Sequence, residues 1–212
     1  VRGDLGAVVR AILLDNEARD TSISASPSFG KVREPMVRMA NWMRTFSATS
    51  VSGRYLLNST SATTSLGQSA LASPSVFNFY RPGYIPPSTR LGTAGLTAPE
   101  FQIVDEVTVA GYANTMQTAI GTGIGTSTDV RSAYVSEVAI ATDTAALVNR
   151  MDRLLLYGQM SASLRSALTD SINSVAIPGV GSTQPQIDAA LLNRARLAVY
   201  MTMVSPEYLV QR

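Results

Sequence analysis

At 212 residues the chain is long enough to bury a real core, as one large domain or two small ones. Hydrophobic residues make up 45% and charged residues 15%, and a mean hydropathy of +0.12 argues against disorder. The net charge of +2 is too small and too scattered for nucleic-acid binding despite a pI near 9.1. The chain has no Cys, hence no disulfide, thiolate nucleophile or Cys-ligated metal, and no His, which removes the commonest general base and any Ser-His-Asp triad.

Without thiols the redox compartment stays undecided. Sixteen of the seventeen basic residues are Arg, with Lys31 the lone Lys; Arg is the better residue for buried pairing. No apolar run approaches the roughly 18 residues needed to span a bilayer, and no signal peptide is visible. The chain starts at Val1 and goes almost directly into a helix, so we expect a fragment or processed product lacking an N-terminal portion.

Residues 4–19 place Leu5, Val8, Val9, Ile12 and Leu13 on one helical face, with Asp4 as N-cap. A helix starting on that Asp disposes of Arg2-Gly3-Asp4 as an adhesion motif, which needs an exposed loop tip. A polar linker follows over 20–30. Pro35 suits the first position of the next helix, whose face holds Met36, Met39, Ala40, Met43 and Phe46, widened by Trp42. A Met stripe at helical spacing is core filler before it is an adaptable groove.

Residues 47–65 contain ten Ser or Thr in nineteen positions and read as a surface loop or flap, tacked down by Tyr55, Leu56 and Leu57. Asn58-Ser59-Thr60 fits a glycosylation sequon, a short pattern that often matches by chance. Residues 66–87 gather Phe77, Phe79, Tyr80 and Tyr84 between prolines. Aromatic rings bury about 150–250 Å² each, so we expect this segment to organise the core. The competing reading is a platform for sugar rings or another partner, with Arg81, Arg90 and the Tyr hydroxyls as its polar tips.

Thr97-Ala98-Pro99-Glu100 has the form of a capping box opening a helix that ends near Gly121. The GTGIG run at 121–125 lacks phosphate-loop spacing and follows a helix, so glycine capping is the better account. Residues 129–141 form a shorter helix. Asp143 caps a helix carrying Leu147, Met151, Leu154 and Leu155 and stopped by Gly158. Ser161 caps its antiparallel partner with Leu164, Leu168 and Ile172 inward. The box Thr183-Gln184-Pro185-Gln186 opens the last long helix, to about Val204, and Ser205 caps a final turn. No strand is evident. The fold expected is all-α: a single domain over 1–212, an irregular bundle of about 5–7 helices with a long Ser/Thr-rich and aromatic loop region over 47–96.

The segments GDLGAVVRAILLDNEAR (3–19), GKVREPMVRMANWMRTF (30–46), GQSALASPSVFNFYRPGYIPP (67–87) and MVSPEYLVQR (203–212), with the hairpin over 146–168, together resemble the C-terminal half of the DUF1800 family. That family is a set of bacterial proteins defined by sequence and not by known function. The resemblance implies a longer, exported precursor in a periplasmic or extracellular setting. It brings no catalytic residues to carry over.

Three functional readings follow. The first is a structural or binding module of an exported bacterial protein, with Phe77, Phe79, Tyr80, Arg81 and Tyr84 as binding residues. Its partner is the N-terminal part of its own precursor or another protein chain, and a homo-oligomer is also open. The second is an enzyme using Glu34, Glu100, Asp105, Glu106 or Glu137 with Arg33 or Arg81; helix capping and ordinary ion pairs account for these residues more simply. The third places an active site mainly in a missing N-terminal portion, with this chain as one wall. We expect no cofactor and no metal, Asp15, Asn16, Glu17 and Asp20 reading as helix-end residues. In so charge-poor a chain at least one of Arg33, Arg38, Arg150 and Arg194 should pair with a carboxylate or with helix-end carbonyls.

Overall fold

Short polar side chains open most of the helices by accepting backbone N–H groups that would otherwise lack partners. The computed structural model describes residues 2–24, 26 and 29–211. The Asp4 carboxylate takes the Ala7 amide at 2.9 Å and starts α1 (Leu5–Leu14). Extended backbone at Asp15 then breaks the helix expected over 4–19, and the Asp15 carboxylate caps α2 (Asn16–Arg19). A further turn, α3 (Thr21–Ser24), occupies part of the expected linker, whose residues 25, 27 and 28 lie outside the described residues.

The chain continues through β1 (Lys31–Val32), α4 (Pro35–Thr45) with Pro35 in its first turn, and β2 (Thr49–Ser50). Residues 51–89 carry no helix or strand beyond an isolated bridge between Ser75 and Asn78. Next come α5 (Arg90–Thr93), a 3-10 turn over Pro99–Ile103 and α6 (Glu106–Gly121). The helix expected to be capped by Thr97 is therefore capped eight residues later, by Asp105. Only the 3-10 turn forms at Pro99, without a side-chain cap, and extended backbone at Val104 ends it. Asp105 and Thr108 supply the real box: each accepts the other's amide at 2.8 Å. The end of α6 agrees with the sequence, Gly123 at φ +108 giving its N–H to Ala119 and Thr118.

After β3 (Val130–Arg131), the helix expected over 129–141 is reduced to α7 (Val135–Val138). The hairpin forms as read: α8 (Thr144–Met151) runs into a π turn over Asp152–Leu156 and returns as α9 (Ala162–Ser174). Asp152 closes it, accepting the Met160 amide at 3.0 Å and pairing with Arg165 at 2.6 Å. Then follow α10 (Gln184–Val204), α11 (Pro206–Leu209), on which the Ser205 hydroxyl accepts the Tyr208 amide, and β4 (Val210–Gln211). The strands make two short antiparallel ribbons, β1 with β4 and β2 with β3. At 54% helix and 5% strand among the described residues, the fold is mostly helical.

The core is built around α10, which packs against α6, α7, α8, α9 and α11. Its buried residues Ala190, Arg194, Ala195, Ala198, Val199, Thr202 and Met203 spread beyond the ~100° stripe of a surface helix, so it is enclosed on several sides. Around it lie Met39 and Trp42 of α4, Tyr112 and Met116 of α6, Leu147 and Met151 of α8, and Leu168 and Ile172 of α9. Each such side chain contributes about 1.5–3 kcal/mol on burial. The Met stripe is therefore core, with Met39 buried and Met36 and Met43 packed beside it. The contrary case is α1: it buries no residue, and Leu5, Val8, Val9, Ile12, Leu13 and Leu14 are all exposed.

The arginines behave as a charge-poor interior requires. Arg150 pairs with the buried Glu137 at 2.6 Å. Arg194 donates to the carbonyls of Ala141 at 2.7 Å, Val175 at 3.1 Å and Ile172 at 3.2 Å, holding the ends of two helical segments together. The Ser/Thr-rich loop is tacked down at Leu56, one of the three residues expected, which is half-buried, whereas Tyr55 and Leu57 are exposed. The buried Asp129 carboxylate does it, accepting from the Ser50 hydroxyl at 2.7 Å, the Ser52 amide at 2.7 Å and the Leu56 amide at 2.9 Å. Leu56 also crosses Gly125, whose φ of +95 and absent Cβ permit the approach; a Cβ there would sit 2.4 Å from the Leu56 carbonyl oxygen.

Candidate functional site

The aromatic segment lies at the surface, and this corrects the expectation that it organises the core. Phe77 is exposed, Phe79, Tyr80 and Tyr84 are half-buried, and Arg81 points to solvent. Nearby Leu71 and Val76 are almost fully exposed. Between 51 and 96 only Thr60, Leu66, Gln68 and Pro86 are buried; the helices and the 130–141 segment fill the core without these rings.

Polar groups hold the segment instead. The Tyr80 hydroxyl donates to one Glu34 oxygen at 2.7 Å, and the Gln68 amide donates to the other at 2.6 Å. Burial first, and then the bond to Glu34, push the Tyr80 hydroxyl above its ordinary pKa. Gln68 is itself buried, accepting the Met36 amide at 3.2 Å while its own carbonyl takes the Thr60 hydroxyl at 2.5 Å. Further along, Gln102 accepts the Arg81 amide at 2.8 Å and Tyr84 accepts the Ala98 amide at 2.9 Å. One exposed and three half-buried rings are thus presented on a fastened loop. In the sequon, Asn58 is exposed and Thr60 is buried.

The carboxylates proposed for acid–base chemistry are dispersed. Glu137 is engaged with Arg150, Asp105 caps α6, Glu34 holds Tyr80 and Gln68, and Glu106 lies exposed in the first turn of α6. Glu100 sits in the 3-10 turn and acts on Tyr80 only through its charge. None of the five lines either of the two cavities described next. Among the described residues no three His, Cys, Asp or Glu are grouped to hold a metal ion, and no helix is long and apolar enough to cross a membrane.

A second locality was legible only as isolated arginines. Arg33 and Arg38 are both buried where α4 meets α6 and α11. The Arg38 guanidinium lies 4.3 Å from the Tyr112 ring centroid and its Nε donates to the Arg33 carbonyl at 2.6 Å. The Arg33 guanidinium stacks 4.7 Å from the Tyr208 ring and 5.7 Å from the Tyr157 ring. Desolvation lowers the Arg38 pKa, although guanidinium remains charged at any working pH. Burial also pushes the Tyr208 hydroxyl up to about 12 and raises that of Tyr112, so neither phenol supplies negative charge near neutrality.

Two cavities flank this cluster. One, of about 180 Å³, is largely apolar and lined by Arg38, Phe101, Thr108, Tyr112 and Leu209. The other, of about 420 Å³, is bounded by Arg33, Leu156, Tyr157, Gln159, Glu207 and Val210. Its wall includes the end of the π turn, where Tyr157 takes a left-handed conformation at φ +57. Glu207 accepts both the amide, at 2.9 Å, and the hydroxyl of Ser161. That hydroxyl also accepts the Leu164 amide at 3.1 Å, so Ser161 caps α9 while donating to Glu207.

A protein-family model described as "Protein of unknown function (DUF1800)" matches residues 1–210. Comparison with curated proteins and with solved structures finds no match.

Proposed function

Because the chain belongs to the DUF1800 family, we propose that it is a non-catalytic structural and binding module of an exported bacterial protein, and that its partner is another stretch of polypeptide. That stretch is the N-terminal part of its own precursor or a separate chain. The observation that carries this reading is α1. A ten-residue helix is marginal in water without tertiary packing, yet α1 turns six apolar side chains to solvent and buries none. Monomeric proteins rarely leave such a face uncovered, and each of these side chains has about 1.5–3 kcal/mol to gain from burial.

The fastened aromatic loop offers a second contact of the same kind. Phe77 with the half-buried Phe79, Tyr80 and Tyr84 presents rigid, amphipathic area at low entropic cost, with Arg81 at its edge. The dispersal of the carboxylates supports binding over catalysis. A periplasmic or extracellular setting is part of the proposal, on the strength of the family.

Photo-crosslinkable residues at Val9 and at Phe77, in the protein produced by its native cell, test this directly. Both positions should yield adducts with polypeptide. Val9→Asp with Ile12→Asp should abolish the association while leaving the melting temperature unchanged, since neither side chain touches the core. Adducts at neither position, or association that survives the double substitution, would sink the reading.

A further inference from the structure

Arg33 carries a hydrogen-bonding group for which the fold has no use. Its Nε–H is buried and has no partner, and the whole residue is only 8% exposed. No carboxylate lies within pairing distance of it among the described residues, the ion pairs there being Arg150 with Glu137 and Arg165 with Asp152. Buried charged donors without partners are rare in native structures and costly. We propose that the 420 Å³ cavity beside it is a binding site for a small organic monocarboxylate, received by the in-plane N–H edge of the Arg33 guanidinium.

The geometry selects the ligand class. The guanidinium carbon lies 4.7 Å from the Tyr208 ring and 5.7 Å from the Tyr157 ring, and the unpartnered N–H is on Nε, an in-plane donor that with its neighbouring Nη–H matches a carboxylate in bidentate fashion. Arg38 adds a second buried cation close by, and its nearest aromatic neighbour is an un-ionised phenol. The opposing element is Glu207, whose carboxylate also lines the cavity and is held by Ser161. One negative charge is therefore welcome and a phosphate dianion is not. Leu156 and Val210 give the rest of the molecule an apolar wall, and the volume falls in the range of small-ligand pockets.

Two further features coincide at this cavity. A π turn ends in its wall, and such turns concentrate at functional sites. Tyr157 is held at φ +57 although it is not glycine, a conformation that costs on the order of 1–3 kcal/mol and persists where the surroundings enforce it. The inference rests on Arg33 and its cavity and is independent of the surfaces proposed for polypeptide binding.

Calorimetric titration of the intact chain with benzoate, benzamide and inorganic phosphate tests it. Benzoate should bind at a single site at least about tenfold more tightly than the uncharged benzamide, and phosphate should not compete. Arg33→Lys keeps the charge but loses the fork, and should weaken benzoate by about tenfold or more. Should that variant not fold, Gln159→Trp decides: Gln159 is exposed at the cavity rim, so the indole fills the space without touching Arg33, and benzoate binding should vanish. No benzoate binding, equal affinity for benzamide, displacement by phosphate, or unchanged binding in folded Gln159→Trp would each overturn the proposal.

Discussion

The indole Nε1–H of Trp42 donates to the hydroxyl of Tyr134 at 2.8 Å, joining residues 92 positions apart in sequence, and neither side chain is accessible to solvent. This bond fastens α4 to the segment between β3 and α7. Tyr134→Phe should leave the indole donor buried and unpaired, at a cost of about 1–3 kcal/mol. Urea unfolding followed by the fluorescence of Trp42, the lone tryptophan, measures it. An unchanged midpoint would mean the donor has found another acceptor.

Asp129 should make the loop over 50–56 sensitive to acid. The Leu56 amide above all, with the Ser50 hydroxyl and Ser52 amide, lowers its pKa to about 2. The folded state thus holds this proton less readily than the unfolded chain. Its stabilisation is complete above about pH 4 and fades as pH falls towards 2. Melting temperatures of wild type and Asp129→Asn should differ at pH 6 and converge near pH 2, and amide exchange at Ser52 and Leu56 should quicken in the variant. Parallel curves across that range would contradict the role.

Gly111 offers a test in which two effects have opposite sign. Alanine is the better helix former by about 1 kcal/mol, and Gly111 lies inside α6. A Cβ there, however, would meet the carbonyl oxygens of Thr63 and Ser65 at 2.4 and 2.7 Å. These are backbone atoms that cannot swing aside. Gly111→Ala should therefore destabilise, by about 1–3 kcal/mol as overpacking typically does, and chemical denaturation gives the sign at once.

Arg194 should not be replaceable by lysine. Its fork reaches the Ala141, Val175 and Ile172 carbonyls and also the Asn173 side chain at 3.2 Å, which a single ammonium cannot span. Arg194→Lys keeps the charge, leaves some of those acceptors unpaired and should cost about 2–4 kcal/mol. A thermal melt equal to wild type would show that the charge alone suffices.

What the sequence alone determined is local. Asp4, Asp143, Ser161 and Ser205 cap helices where they were read, and Gly158 stops the first helix of the hairpin. Capping and the 3.6-residue period act within a turn or two of chain, so neighbouring residues suffice to reveal them. Where two local signals competed, Asp105 with Thr108 displaced the Thr97 box, because reciprocal side-chain bonds satisfied two amides while Pro99 supported only a 3-10 turn. Only the tertiary structure decided what covers what. The α1 periodicity states that a face is apolar and not whether anything packs on it; the same holds for Phe77 and its neighbours, which surface because other helices fill the interior. The Asp129 anchor and the contacts of Arg33 with the Tyr157 and Tyr208 rings join residues far apart in the chain. Such contacts depend on where helices finally cross, and no spacing in the sequence encodes that.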